Sequence, residues 1–278
     1  MLNKKLNILL EELDAKQTHK SLRSIKLSGK KIILDIKKNC ITSKKNYFII
    51  KLNNKKNLSK NINFITSLFG QKINQNYKKD KTLLVTPNTR LINKFKKIQD
   101  DKLRYHQTNK GGSIHTDGPQ HLNTPKFLLM ASISNNNKGG ESIIVNGKKI
   151  FNYINRKKPK ISKTLQENFF FERRGFNYSS QNILKSPIFK KKNNIFKFRY
   201  LREYIEAGHS IKRIQLTTKE IEAFNYLDSL LIQKKFQNKY RLNQGDIIIL
   251  NNYHLAHGRS GFKINFSKQR SLMRVWIR

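Results

Sequence analysis

The chain reads as a mainly β protein of the α+β kind, built as a β-sandwich or jelly roll. From about residue 103, short apolar runs follow one another with Gly, Asn and Pro turns between them, the texture of an antiparallel two-sheet protein. With 17 Phe, 10 Tyr and 37% hydrophobic residues the chain can pack a core in spite of a mean hydropathy of −0.68, which excludes a disordered chain. Its 278 residues are enough for one sizeable core and short for two. One domain over 1–278 is therefore expected, with residues 1–100 an N-terminal α/β elaboration. Residues 101–278 would form the jelly-roll core, carrying a helical insert at about 147–240.

Taken in order, residues 1–20 place Leu2, Leu6, Leu9, Leu10 and Leu13 at helical spacing. Strand-like runs follow at 31–37 (KIILDIK), 47–52 (YFIIKL) and 82–86 (TLLVT). Between the last two, NINFITSLFG (61–70) reads as a short helix stopped by Gly70. Further strands are expected at 126–133, 141–147, 169–176, 194–200, 246–252 and 271–278. Two helical pieces interrupt them, at 147–167 and 218–236. The second opens on Thr217 and Glu220, a capping-box pattern, ahead of Ile221, Phe224, Leu227, Leu230 and Leu231 on one face. Both read as packing helices within an excursion from the sheets.

Charge narrows the partners. Lys and Arg number 58 against 17 acidic residues, a net +41, for which nucleic acid would be the default partner. Yet 44 of the 58 are Lys, and Asn and Ile are also abundant, the bias an AT-rich genome writes into any protein. The lysines come in twos and threes throughout (Lys30–Lys31, Lys44–Lys45, Lys96–Lys97, Lys190–Lys192) rather than in one arm. A solvated Lys-rich surface is the better reading, and its field favours small anionic ligands. Cys40 stands alone, so no internal disulfide and no Cys-rich metal site can form. No run approaches the ~18 apolar residues of a membrane span, and acidic residues occupy the N-terminus where a signal peptide needs an apolar stretch. A soluble, cytoplasmic protein with no membrane partner is expected.

Of seven histidines, His115 stands out because SIHTDGPQ sets Asp117 two residues beyond it. At the end of a strand, positions 115 and 117 point to one face, so an imidazole nitrogen and a carboxylate oxygen can hold adjacent positions on one metal. A third ligand has its best source in NNYHLAHGRSGF, as His257 or His254. Two histidines and one carboxylate on one face of an octahedron leave three positions open, which suits non-haem Fe(II) oxygenases.

Four segments in order, GGSIHTDGPQ (111–120), KGGESIIVNG (138–147), LNQGDIIILNNYHLAHGRSGF (242–262) and QRSLMRVWIR (269–278), resemble the TauD/TfdA family of Fe(II)- and 2-oxoglutarate-dependent dioxygenases. The resemblance covers about 103–278 and is thin over 1–100. It implies a double-stranded β-helix of the clavaminate synthase-like type. It also implies Fe(II), 2-oxoglutarate as cosubstrate and dioxygen, with succinate and CO2 released as a small-molecule substrate is hydroxylated. By the same resemblance, His115, Asp117 and His257 are the iron ligands, and His254, three residues from His257, faces away. Ser142 in GGES stands where the family usually has Thr, and Arg270 stands where an arginine salt-bridges the remote carboxylate of 2-oxoglutarate. Arg274 stands where taurine dioxygenase holds its sulfonate substrate; Arg259 reads as structural.

A guanidinium with a hydroxyl beside it suits a remote carboxylate in a partly buried barrel, and Lys would serve less well. One departure counts against taurine itself: the family member's asparagine four residues before the proximal histidine is Gly111 here, and Asn109 is the candidate substitute. Tyr105, His106, Asn109 and Gln120, with Arg274, are candidate pocket residues, and the arginine suggests an anionic group on the substrate. An intact carboxylate at Asp117 favours hydroxylation over halogenation. Family members often form dimers or tetramers, so a homo-oligomer is a further expectation.

Two alternatives compete. A nucleic-acid-acting oxygenase would suit the charge, but the long insert between His115 and His257 and the lack of an aromatic and basic base-stacking motif oppose it. A non-catalytic jelly-roll binding protein is opposed by the presence of every ligand position.

Overall fold

Two antiparallel sheets face each other, and the apolar pattern of their strands shows what covers each side. The structure is a computed structural model that describes residues 1–15, 21–55, 57–76, 78–87, 109, 111–135, 138–173, 183–193, 195–263 and 269–278. The larger sheet contains β1 (Tyr47–Lys51), β2 (Thr82–Val85), β3 (Phe127–Ser134), β10 (Asp246–Asn251) and β12 (Ser271–Ile277), in the order β1-β10-β3-β12-β2. The smaller holds β4 (Ser142–Asn146), β9 (Gln237–Tyr240) and β11 (Leu255–Arg259), with β4 in the middle.

Strands β3 and β10 are apolar at nearly every position because both of their faces are covered. Leu128, Met130, Ile248, Leu250, Leu272 and Trp276 turn inward to Ile144 and Leu255 of the smaller sheet. The alternate residues, Phe127, Leu129, Ala131, Ile247, Ile249, Val275 and Ile277, turn outward onto the N-terminal helices. Those helices are α1 (Leu2–Asp14), α2 (Leu22–Thr42) and α3 (Leu58–Phe69). On the far side, Val145 and Ala256 of the smaller sheet pack under the insert. Four layers result: helices, five strands, three strands, insert.

The N-terminal hundred residues do more than elaborate a finished core, since β1 and β2 are hydrogen-bonded edge strands of the larger sheet. The strand expected at 31–37 is a correction: these residues lie in the middle of α2. Their β-branched isoleucines gave a strand-like local pattern. Over the longer window, though, Ile25, Gly29, Ile33, Ile36 and Cys40 recur every three or four residues and are buried. Ser21 caps this helix by accepting a hydrogen bond from the Ser24 amide (3.2 Å).

The helix expected at 147–167 divides into α4 (Gly147–Lys157) and α5 (Pro159–Thr164), because Pro159 forces Lys158 out of helical geometry. Next come the hairpins β5 (Asn168–Phe171) with β6 (Leu184–Pro187) and β7 (Phe189–Lys192) with β8 (Ile195–Phe198). Residues 174–176 of the strand expected at 169–176 lie outside the described residues. Helix α6 (Arg202–Lys212) was not foreseen, for only Ile205, Gly208 and His209 of it are buried. Helix α7 (Thr218–Leu231) opens on the expected capping box: the Thr217 hydroxyl accepts from the Glu220 amide, and the Glu220 carboxylate accepts from the Thr217 amide at 2.8 Å. It ends before a 3-10 turn at Lys234–Phe236.

The helical register of α2 can be checked directly. Ile36 is fully buried and Leu34 is 61% exposed. Ile36→Ala should therefore lower unfolding free energy by about 2–5 kcal/mol, and Leu34→Ala by no more than about 0.5 kcal/mol, in chemical denaturation.

Candidate active site

The site forms where two chain segments, remote in sequence, make one antiparallel backbone pair. The His115 amide donates to the His257 carbonyl (2.9 Å) and the His257 amide to the His115 carbonyl (2.7 Å). Such an isolated bridge sets directly opposite side chains on one face, and the two imidazole rings lie with centroids 4.7 Å apart. No strand is needed at 113–117. His257 is placed in turn by β11, opposite Ile144 of β4, so it points into the space between the sheets. Asp117 completes the group: its Oδ1 is 3.9 Å from His115 Nε2 and its Oδ2 is 3.9 Å from His257 Nε2.

One ligand atom from each residue, all within 4.8 Å of one another and all buried, makes a set that could hold a metal ion. The donors suit iron. His115 Nδ1 lies 2.9 Å from the Ser113 carbonyl, a contact that orients the ring and turns Nε2 toward the carboxylate. Asp117 Oδ2 is buried with no hydrogen-bond partner among the described residues, an acceptor left for a cation.

Asp117 is gripped on both sides of its backbone. Its amide donates to Asn252 Oδ1 (2.9 Å), and Asn252 Nδ2 donates to the Asp117 carbonyl (3.0 Å) and the Pro125 carbonyl (2.9 Å). Between the two ligands, the Thr116 amide donates to the Tyr200 carbonyl (2.8 Å) and the Tyr200 amide donates back to the Thr116 hydroxyl (2.9 Å). Tyr200 is itself fixed by Asp228 of α7, through its hydroxyl at 2.6 Å. Arg199 is buried and donates to the carbonyls of Pro119, His121 and Leu122, which shapes the turn after Asp117. The helical insert is thereby bonded to the ligand loop, which sequence spacing alone gave no means to foresee.

Electrostatics leave the cluster ready to coordinate. Burial pushes the Asp117 carboxyl up, but the Arg274 guanidinium and the two imidazoles outweigh that and hold it below the usual carboxylate range. Burial pushes His257 down to about 3, opposed by Asp117 and reinforced by His115 and Arg274, so its ring is neutral at pH 7. A carboxylate and a neutral imidazole are the forms a metal needs.

The remaining residues singled out from sequence fall in three places. Ser142 faces inward at the head of β4, and directly opposite it on β11 stands Arg259, buried. Arg270 is also buried, and both guanidiniums stack near the Phe262 ring, at 4.8 Å for Arg259 and 5.7 Å for Arg270. Arg259, read from sequence as structural, thus shares a seat with Ser142 and Arg270. The glycines of KGGES make that seat. Gly140 (φ +75°) lies so close that a Cβ there would sit 3.0 Å from Arg270 Nε, and one on Gly139 (φ +81°) would collide with the Gly261 carbonyl.

Arg274 points inward from β12 with Leu272 and Trp276, in spite of a bulge between Ser271 and Leu272. Its Nη1 donates to Asp117 Oδ1 (3.1 Å). Gln120 is buried and its Oε1 has no hydrogen-bond partner among the described residues. Asn109 is not directed at the metal ligands: its Nδ2 donates to the Phe262 carbonyl (3.2 Å). Tyr105 and His106 lie outside the described residues. His254 sits in the turn before β11 with its ring against Phe196, and burial with Lys148 nearby takes it down to about 4. A surface cleft of about 400 Å³, lined by Lys148, Phe151, Asn152, Lys191 and Phe196, contains none of the ligand residues.

Two facing antiparallel sheets with a His/Asp/His cluster between them define a non-haem iron, 2-oxoglutarate-dependent dioxygenase, an oxidoreductase. The chain matches the family described as "Taurine catabolism dioxygenase TauD, TfdA family" over residues 65–276, and it belongs to that family. The match reaches upstream of the motif segments to take in β2.

Solved structures agree on the fold. An asparagine oxygenase in complex with Fe(II), 2S,3S-3-hydroxyasparagine and succinate is 12% identical with a TM-score of 0.70, over 99% of this chain and 91% of its own. The non-heme iron oxygenase OrfP in complex with Fe and alpha-ketoglutaric acid is 10% identical with a TM-score of 0.68, over 99% and 91%. OrfP in complex with Fe, succinate and (3R,4R)-dihydroxy-L-Arg is 12% identical with a TM-score of 0.70, over 100% and 92%. The jelly roll with flanking and inserted helices expected from the sequence is found, as a mixed α+β structure in which helices hold more of the described residues than strands do. Among the described residues no helix is long and apolar enough to cross a membrane.

Two outcomes are expected. Asn252→Ala strands three buried backbone groups around Asp117 and should cost about 2–5 kcal/mol of stability by denaturant titration. His121 and His254, both held down to about 4 chiefly by burial, and His257, held to about 3, bind protons more readily unfolded than folded. Their contribution is complete above about 6.5 and is lost as pH falls from there toward 4 and 3. A melting temperature flat over that window would contradict it.

Proposed function

We propose that this dioxygenase hydroxylates a small organic substrate bearing an anionic group, with His115, Asp117 and His257 holding the iron. The observation that carries the reading is the buried three-residue cluster with a guanidinium 3.1 Å from its carboxylate. Bound iron supplies dioxygen activation coupled to oxidative decarboxylation of 2-oxoglutarate to succinate and CO2. The chain's own side chains hold and orient. Ser142 and Arg270 receive the remote carboxylate of 2-oxoglutarate, and Arg259 across from Ser142 adds a second positive charge there. A buried carboxylate needs such partners, and a guanidinium offers two parallel donors.

At the opposite side of the cluster, Arg274 meets the substrate's anionic group, and Gln120 offers an amide to a polar group beside it. Arg270 directly precedes β12 and Arg274 lies within it, so one stretch of chain would serve cosubstrate and substrate together. The inner face supplied by Leu128, Met130, Leu250 and Leu255 keeps water out. Amino acids are the first class to screen, because the structurally similar oxygenases were solved with hydroxylated asparagine and arginine. A lone buried cysteine, Cys40, suits a cytoplasmic setting.

Anaerobic protein with Fe(II) and 2-oxoglutarate should show a weak visible metal-to-ligand absorption band. His115→Ala and Asp117→Ala should each abolish it; a variant that keeps the band would remove that residue from the ligand set. Arg270→Ala should weaken 2-oxoglutarate binding by about 2–5 kcal/mol in a titration of the same band, the cost of leaving a charge-assisted pair broken. Succinate release screened against amino acids, sulfonates, betaines and carboxylic acids identifies the substrate.

A further inference from the structure

Gln75 belongs to none of the motif segments, yet its side chain takes hold of the arginine beside the metal ligands. It is buried, and its Nε2 donates to two carbonyls, those of Arg274 (2.9 Å) and Lys81 (3.2 Å). Its Oε1 accepts from Arg274 Nε (2.8 Å). One amide therefore grips Arg274 by main chain and side chain together. Gln75 itself is immobilised: its amide donates to the Asp80 carbonyl (2.8 Å), across a turn that Asn76 and Asp80 close with side-chain bonds. The turn then enters β2, which pairs with β12 so that Leu83 lies opposite Arg274.

The geometry points to Gln75 as the positioning residue that aims Arg274 at Asp117 and the space beside it. An arginine side chain has four rotatable bonds, and anchoring Nε leaves the planar guanidinium little freedom. In that pose Nη1 is 3.1 Å from Asp117 Oδ1 and the guanidinium carbon is 4.9 Å from the Trp276 ring. Orientation at the substrate side of the site is thus set by the segment before β2, outside the strands that carry the ligands. That Arg274 receives the substrate's anionic group rests on the function proposed above; that Gln75 orients Arg274 does not.

Trp276 is the only tryptophan, so its fluorescence reports where the guanidinium lies. Arg274→Met supplies the spectrum of an indole without its cation. Gln75→Met, close in volume but unable to bond Nε, should move the emission at least halfway to that limit. Should the thioether strain the turn, Gln75→Ala, which admits water to the two carbonyls, gives the same reading. Emission unchanged from wild type in a folded variant overturns the positioning role.

With a carboxylate or sulfonate substrate from the succinate screen, Gln75→Met should raise KM roughly tenfold, the loss of one oriented charge-assisted contact, with a smaller change in kcat. A fall in kcat at unchanged KM removes Arg274 from the substrate's anionic group and so overturns that part of the proposed function, while the emission comparison alone decides whether Gln75 orients Arg274. A wild-type protein without the iron and 2-oxoglutarate band would defeat the proposed function, and the emission comparison would still decide the role of Gln75.

Discussion

Everything at the centre of this protein depends on two reciprocal backbone hydrogen bonds between His115 and His257. The pair joins the loop after residue 111 to β11, on which His257 is already placed by its pairing with β4. Opposite residues in such a pair share a face, so two imidazoles separated by most of the jelly roll in sequence meet between the sheets. Asp117 joins them because Asn252 clasps its amide and its carbonyl. Without these main-chain contacts the three side chains would have no reason to converge, whatever their chemistry.

Burial of such a cluster is tolerable only because its charges answer one another. A carboxylate removed from water is costly, and here Arg274 and the neighbouring imidazoles offset that cost. At Ser142 the arrangement differs: two like charges, Arg259 and Arg270, lie against Phe262 where the glycines of KGGES leave room. Positive charge inside the site is focused by position, whereas the lysines outside are scattered. Of the net charge of +41, the buried arginines are the part that lies at the site itself.

Legibility varied with how local the controlling physics was. The capping box at Thr217 and Glu220 and the continuous apolar runs of β3 and β10 are short-range patterns, and the structure follows them. Residues 31–37 misled because three isoleucines in a short window resemble a strand; the fold resolves the matter by laying one face of α2 over the larger sheet. Helix α6 left almost no signal, since its contact with β5 depends on Gly208 approaching the Phe170 carbonyl rather than on an apolar stripe. Asn109, near the site by sequence, donates its side-chain amide to the Phe262 carbonyl, a contact between distant segments that no local pattern announces.

Residue types and their order along the chain were enough to name the chemistry: a His-x-Asp pair, a later histidine, two arginines four apart, and strands to carry them. What no linear reading could supply was which distant groups would touch. Arg259 facing Ser142, Gln75 gripping Arg274 and Tyr200 bracing Thr116 each join elements far apart in sequence. The reason is physical: coordination preference belongs to the side chain and travels with it, while proximity is created only when the sheets close and their buried backbone groups have to find partners.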